Sequence, residues 1–559
     1  MKACASLAVA VALAAGAQRG RAQTPAPAKP DSLTAIRYRF RLLGVYDAQT
    51  GDPVEGVEVA DVLSKASTMT SKTGTISLFF LPDGGSLVRL RKIGYETQTL
   101  AVSISPADTI PITVILNHAT ALPAVVVKDS APKFMTPGME RYGFADNFSP
   151  GDLIGHTLGG YSFDQITAGS AINWLRTKGR PLGDDGKPWC MFVSFVNPHD
   201  VMYFNTDAPG ESVQDTGKLR LRAARAPEHA LYRASWDMPI PSSLREPFDA
   251  PGRPRAHGEF DHVWDYILGN VPLEDARWKR FNDYYVNCIR NVDRQIEALL
   301  SELDALDLAK DTIVVFTSDH GEMAGSHGLR GKGPFAYRET NHLPLHIVHP
   351  DVKGGEQCRS LSSHIDFVPT LLSMAGVAPD RVTEIAGRAL PGKDLSLLLA
   401  NPGSRAIDAA RPATLFTYSG LASNDAGVFD FAARAVMAGK DPKEEAKRVG
   451  FKPDLRKRGH VRSAFDGRYR FTRYFSPLDH NSPTTLDELF KWNDVELYDL
   501  ENDPGEMVNL AIERTENADL LTTMNGKLEA LIRSEIGKDD GRELPDIAGI
   551  TWGVDKVDL

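Results

Sequence analysis

The feature that narrows the fold most is a repeated alternation: near-continuous apolar runs, each ending in a polar turn, separated by stretches of helical spacing. CMFVSFV (Cys190–Val196) runs into Asn197, His199 and Asp200, and TIVVFT (Thr312–Thr317) runs into Asp319 and His320. Between them Ile289, Val292, Ile296, Leu299, Leu300, Leu303 and Leu306 recur at three- and four-residue steps, which predicts an amphipathic helix within Arg280–Leu308. HLPLHIVH supplies a third strand, from His342, and HIDFVPTLLSMAGV a further helix, from His364. Strands apolar on both faces need cover on both faces, so the pattern predicts a mostly parallel sheet flanked by helices. Ligands of such sheets bind beyond the carboxyl ends of the strands.

The flanking regions have a different texture. Lys2, the apolar stretch Ala5–Ala15 and small residues offering cleavage after Ala17 or Ala22 predict an export signal over residues 1–22, and hence a periplasmic or secreted protein. QTPAPAKPD reads as an extended linker, residues 23–35. From 36 to 127, short runs rich in Val, Ile, Thr and aromatics are parted by AQTGDP, SKTG and PDGG, predicting an N-terminal β-sandwich. A Pro/Gly-rich break at 128–150 marks a second linker ahead of an α/β domain over 151–450. In 451–559, two alternating runs around Asp466-Gly467 predict a hairpin, followed by the strand ELYDL and a closing helix from about Pro504, together a small antiparallel subdomain.

Composition removes whole classes of function. A formal charge of −10 leaves no electrostatic footprint for nucleic acid, and no later segment approaches the roughly 20 continuous apolar residues of a membrane span. Beyond the signal only Cys190, Cys288 and Cys358 remain, widely scattered, so neither a disulfide framework nor a cysteine-rich zinc site is expected. Any metal must be held by oxygen and imidazole.

Asp319 beside His320 offers that donor pair at a strand end, and the sequence that follows is rich in glycine (Gly321, Gly325, Gly328, Gly331, Gly333), so its loop can fold back to bring Lys332 over a bound cation. A Lys ammonium with an imidazole, such as His199, suits a tetrahedral anion that gains charge in a transition state. The same Asp-His pair after a strand can also cap a helix, and spacing leaves both readings open. The Pro- and Arg-rich stretch between Thr206 and Pro272 is expected to be an ordered insertion near the rim, where loops select substrate.

The order of PWCMFVSFVNPHD, the block from NCIRNVDRQ through TIVVFTSDHGEMAGSHGLRGKGPFAYRET, LPLHIVHP, HIDFVPTLLSMAGV and ELYDLENDPGEMVNL resembles the middle and C-terminal parts of sulfatases, members of the alkaline phosphatase superfamily, over about 150–535. The resemblance implies sulfuric ester hydrolysis. It implies Asp319 and His320 as metal ligands, Lys332 as a sulfate-binding group, His199 as a sulfate contact or leaving-group donor, and His327 as a further substrate-facing residue. It also implies a divalent metal cofactor, calcium with manganese as the other choice, and an anionic sulfate ester, small molecule or glycan, as partner. His320, where many sulfatases have Asn, is similar to the branch containing phosphonate monoester and choline-sulfate hydrolases. Separately, DAQTGDPVEGVEV, TSKTGTISL and VRLRKIGY resemble the carboxypeptidase regulatory-like domain, a transthyretin-like sandwich.

One departure outweighs these matches. No cysteine is followed by x-Pro-x-Arg, and no serine equivalent replaces the motif that furnishes the formylglycine nucleophile of sulfatases. The first metal-binding Asp strand is not legible either, so the α/β domain is expected to lack its N-terminal strands. Catalysis would then need a complementing sulfatase N-terminal half; the other readings are phosphonate or phosphate ester hydrolysis, and a non-catalytic binding protein or fused gene fragment.

Overall fold

The computed structural model describes residues 7–12, 41–118 and 142–544, apart from the short stretches 63–65, 79, 82–83, 93–94, 105–110, 149–155, 215–222 and 422–423. The expected cleavage sites, the linker at 23–35 and most of the linker at 128–150 lie outside the described residues. The chain divides into two compact units, residues 17–152 and residues 1–16 with 153–559.

In the smaller unit the strands are β2 (Leu42–Asp47), β3 (Glu58–Asp61), β4 (Ser67–Met69), β5 (Thr75–Ser77), β6 (Gly84–Arg91), β7 (Gln98–Ile104) and β8 (Ile112–Leu116). They form two sheets, ordered β5-β2-β8 and β4-β3-β6-β7. Alternate residues, among them Leu43, Val45, Val59, Val88, Leu90, Val102 and Val114, turn inward to one shared apolar core.

The larger unit begins unexpectedly. Leu7–Ala12, the centre of the expected export signal, is strand β1 and lies in the middle of a sheet ordered β11-β10-β1-β9, with β9 at Cys190–Phe195, β10 at Ile313–Thr317 and β11 at Leu345–Val348. An N-terminal strand is therefore present, contrary to expectation. The mostly parallel sheet is corrected as well, since β1 pairs antiparallel with both β9 and β10, and β10 pairs antiparallel with β11. For β10 and β11 the reason is the connection. Thr317 pairs with Leu345, so the intervening loop leaves and re-enters at the same end of the sheet, with no crossover to reverse direction.

Helices do cover both faces. Ile313 and Val315 of β10 pack on Leu371 and Met374, whereas Val314 and Phe316, on the other face, join a core with α1 (Gly159–Trp174) and α3 (Asp275–Ala305). Between those two helices in sequence comes α2 (Arg255–Leu268), and the described residues of 206–272 otherwise form turns and short helical segments. The fold of α3 follows its apolar stripe: Val292, Leu299 and Leu303 are buried at helical spacing.

At the C-terminal end an antiparallel sheet runs β12 (Thr414–Tyr418), β13 (His460–Phe465), β14 (Tyr469–Phe475) and β15 (Asp494–Asp499). Helix α4 (Ala518–Glu535) lays Leu521, Met524, Leu528 and Ile532 against Ala464, Phe471 and Leu497. The closing helix starts later than the expected Pro504 because the preceding residues are held in turns. Asp503 accepts the Val508 N–H at 2.7 Å, and Glu506 has a left-handed backbone (φ 53°) while its carboxylate accepts the Arg338 N–H at 2.7 Å. Among the described residues, no helix is long and apolar enough to cross a membrane.

Candidate active site

The carboxyl ends of β9 and β10 open on one cleft, lined by Val196, Pro198, His199, Met202, Tyr285, Ser318, Asp319, His320, Glu322 and Lys332. Four of the five residues singled out from sequence are thus brought together, from two segments more than a hundred residues apart.

Each rim is anchored before it presents a functional group. At the β9 end, Asp164 of α1 accepts the backbone N–H groups of Val196 (2.6 Å) and Asn197 (2.9 Å), while Asp200 accepts those of Gly160 (2.8 Å) and Tyr161 (2.9 Å) in the first turn of α1. Helix and strand end are stapled in both directions, and the second staple places a carboxylate at a helix N-terminus. Burial pushes the carboxyl of Asp164 up to about 8 and that of Asp200 up to about 6, against the backbone donors, which favour the ionised forms. Gly160 is required by closeness: a Cβ there would sit 2.2 Å from Asn197 Cγ.

At the β10 end the loop is held by Glu322, which accepts the N–H groups of Ala324 (3.1 Å) and Gly331 (2.6 Å). That bridge pulls 331 back toward the strand and sets Lys332 in the cleft, where Nζ lies 3.4 Å from Met202 Sδ. Sequence reasoning passed over Asp164 and Glu322, and named Asp200 only as a polar residue at the strand end. Glu322 is an acidic residue beside a motif, which on the surface would mean nothing, and Asp164 lies in a helical stretch more than thirty residues before the strand end it holds.

The donor geometry at Asp319 and His320 fits a cation. His320 Nδ1 lies 2.8 Å from the Gly321 carbonyl, which can only accept, so Nδ1 carries the proton and the neutral ring's lone pair is on Nε2. That Nε2 faces Asp319 Oδ2 at 3.6 Å, and neither atom has a hydrogen-bond partner among the described residues. Two buried acceptors pointed at one another are costly unless a cation stands between them. Burial lowers the basicity of His320, with Lys332 adding to the effect, which keeps the imidazole neutral and able to ligate. Burial raises the Asp319 carboxyl, opposed by His320 and Lys332. His364, whose Nε2 donates to the Ser318 carbonyl at 2.9 Å, braces the same strand end from behind.

His199 completes the cleft. Burial, then the nearby Lys332 and His320, push its imidazole down to about 3, and its buried Nδ1 is unpartnered among the described residues. Held neutral, its ring can donate one hydrogen bond and accept another.

His327 is not in this cleft, which corrects its expected substrate-facing role. It is 1% exposed, its Nδ1 lies 2.6 Å from Glu246 Oε2, and its ring stacks on Tyr337 at 3.8 Å. The reason is backbone geometry: Gly325, His327 and Gly328 all have positive φ (99°, 54° and 68°), so the loop coils and turns His327 into the core.

Residues 115–377 match the family model Sulfatase. The chain is 28% identical over 281 residues to an N-acetylglucosamine-6-O-sulfatase of Bacteroides thetaiotaomicron, covering 44% of this chain and 48% of that protein. It is 36% identical over 215 residues to arylsulfatase K of Bos taurus, covering 37% and 35% respectively. The chain therefore spans about half, or less, of these curated relatives. A solved structure, BT4656 in complex with its substrate D-glucosamine-2-N,6-O-disulfate, aligns at 20% identity and a TM-score of 0.44, covering 67% of this chain and 70% of that one.

Proposed function

We propose that the sulfatase-family domain at residues 115–377 uses the cleft at the β9 and β10 ends to bind a divalent cation and the sulfate group of an anionic ester, and that this chain by itself does not turn the ester over. The observation that carries the reading is the facing pair Asp319 Oδ2 and His320 Nε2, 3.6 Å apart, with His199 and Lys332 lining the same cleft. When bound, the cation, calcium or manganese, would be held by Asp319 and His320 and would neutralise charge on the sulfate oxygens. Lys332 contributes a fixed positive charge for a sulfate oxygen. His199 donates a hydrogen bond to the anion or to the leaving oxygen. Asp164, Asp200 and Glu322 hold these groups in place.

Hydrolysis requires a nucleophile, and the chain has no Cys-x-Pro-x-Arg or serine counterpart to supply one. Relatives named as sulfatases favour a sulfate ester, of glycan or small-molecule type, over a phosphonate. In this reading the smaller unit is a carboxypeptidase regulatory-like sandwich carrying no chemistry.

The test uses the purified chain with calcium or manganese. Inorganic sulfate should bind in titration calorimetry and lose binding in His199→Ala and Lys332→Ala, while an aryl sulfate and an aryl phosphonate diester remain intact. Turnover of either ester that disappears in both variants would overturn the claim of no catalysis. Sulfate binding equal in wild type and both variants would overturn the site.

A further inference from the structure

A second cluster of metal-ligating side chains lies in the C-terminal part of the larger unit, on segments that the cleft does not use. One ring nitrogen each of His460 and His480 and a carboxylate oxygen of Glu543 lie within 4.8 Å of one another. His460 opens β13, His480 follows β14, and Glu543 comes after α4, so three segments separated in sequence converge here.

His460 is completely buried, and neither of its ring nitrogens has a hydrogen-bond partner among the described residues. An imidazole with two unsatisfied buried nitrogens costs stability unless something engages them. His480, its side chain buried, is oriented as a ligand commonly is. Asp539 Oδ1 accepts from Nδ1 at 3.1 Å, and Nε2 is left without a partner. Asp539 is itself fixed by the Arg462 guanidinium through two contacts of 2.7 Å. Space next to His480 Nε2 is kept open by Gly541 (φ +77°), where a Cβ would stand 3.0 Å from that nitrogen.

Glu543 brings the third donor. One carboxylate oxygen, Oε1, accepts from Arg462 (2.9 Å) and Ser419 (2.8 Å), which holds the carboxylate in place with Oε2 available. A purely structural polar cluster would engage His460 as well; its ring instead stands perpendicular to that of His480, 5.7 Å apart with an 89° interplanar angle, with neither of its nitrogens engaged among the described residues.

We propose that His460, His480 and Glu543 bind a zinc ion that pins the segment around residues 539–543 onto the end of β13. Two imidazoles and one carboxylate are donors that zinc takes at about 2.0–2.2 Å, leaving a fourth position for water. Because the present spacing reaches 4.8 Å, binding draws the three segments slightly together.

The experiment strips the full chain with chelator, dialyses it against zinc and measures bound metal, with cobalt substitution as a spectroscopic probe of tetrahedral nitrogen and oxygen ligation. Wild type and Asp319→Asn should both take up this zinc and show the cobalt bands, which separates the site from the cleft. Glu543→Gln and His480→Gln should bind zinc about 10-fold to 100-fold more weakly and lose the bands, a ligand loss costing at least what an outer partner costs. Glu543 is 40% exposed, so its variant should keep the apo protein's far-ultraviolet circular dichroism and melting midpoint, and zinc should raise that midpoint in wild type and Asp319→Asn but not in Glu543→Gln. Zinc uptake in both variants equal to that of wild type, or no uptake by wild type, overturns the proposal.

Discussion

The cleft at the β9 and β10 ends and the polar core beneath the C-terminal sheet both bury charged groups, and they treat them in opposite ways. In the core, Glu496 accepts hydrogen bonds from Tyr337 (2.9 Å), Tyr498 (3.0 Å) and Tyr474 (2.6 Å), while burial raises its carboxyl. Arg411 likewise binds the carboxylates of Asp366 and Glu535. In the cleft, Asp319 Oδ2, His320 Nε2 and His199 Nδ1 are buried and engage nothing among the described residues. A closed network stabilises the fold, whereas an open one costs the fold. Burial alone therefore does not distinguish structure from site; the fate of each polar atom does.

Breaking the closed network should have the largest effect on stability. Arg411→Ala leaves Asp366, which is completely buried, without its guanidinium, and should cost about 3–5 kcal/mol in urea unfolding. An Arg411→Ala midpoint near that of wild type would mean that Asp366 is satisfied by its backbone donors alone.

His327 tests where the line between the two regions runs. Its pairing with Glu246 and stacking on Tyr337 belong to the core, so His327→Ala should lose roughly 2–3 kcal/mol and yet bind sulfate as wild type does. A large loss of sulfate affinity in the folded variant would move His327 back into the site.

The open network should respond in reverse. Asp319→Asn removes a group that holds nothing else by its Oδ2, so its midpoint should shift by no more than about 1 kcal/mol, while calcium or manganese binding in the cleft is abolished. Calorimetry with each metal reads this directly.

The smallest effect is pH-dependent and sharpens the description of the core. His257 is completely buried, its Nε2 is 3.1 Å from the Tyr474 hydroxyl, and burial, then Arg253 and His327, hold its pKa well below the ordinary 6.5. The unfolded chain therefore takes up a proton first. The stability contributed by the neutral ring is present above pH 6.5 and lost as pH falls below it, by at most about 1.4 kcal/mol per unit. Unfolding midpoints at pH 7.5 and 5.5 should differ more for wild type than for His257→Gln.

The sequence alone was enough to name candidate site residues and the strands before them, because strand runs and their polar ends are local: His199, Asp319 and His320 could be named from position after an apolar run, and Lys332 from the glycine-rich loop that follows. Its composition also determined that any metal would be held by imidazole and oxygen. Tertiary structure decided the rest. Sheet direction depended on which end of β10 the loop returned to, and the place of Leu7–Ala12 between β9 and β10 depended on partners about 180 and 300 residues away. His327 was placed in the core by three consecutive-turn φ values that no hydrophobic pattern records. Asp164, Asp200 and Glu322 became positioning groups, and His460, His480 and Glu543 became a cluster, only once distant segments met. Pattern is a property of neighbours along the chain; the satisfaction of a buried polar atom is a property of neighbours in space.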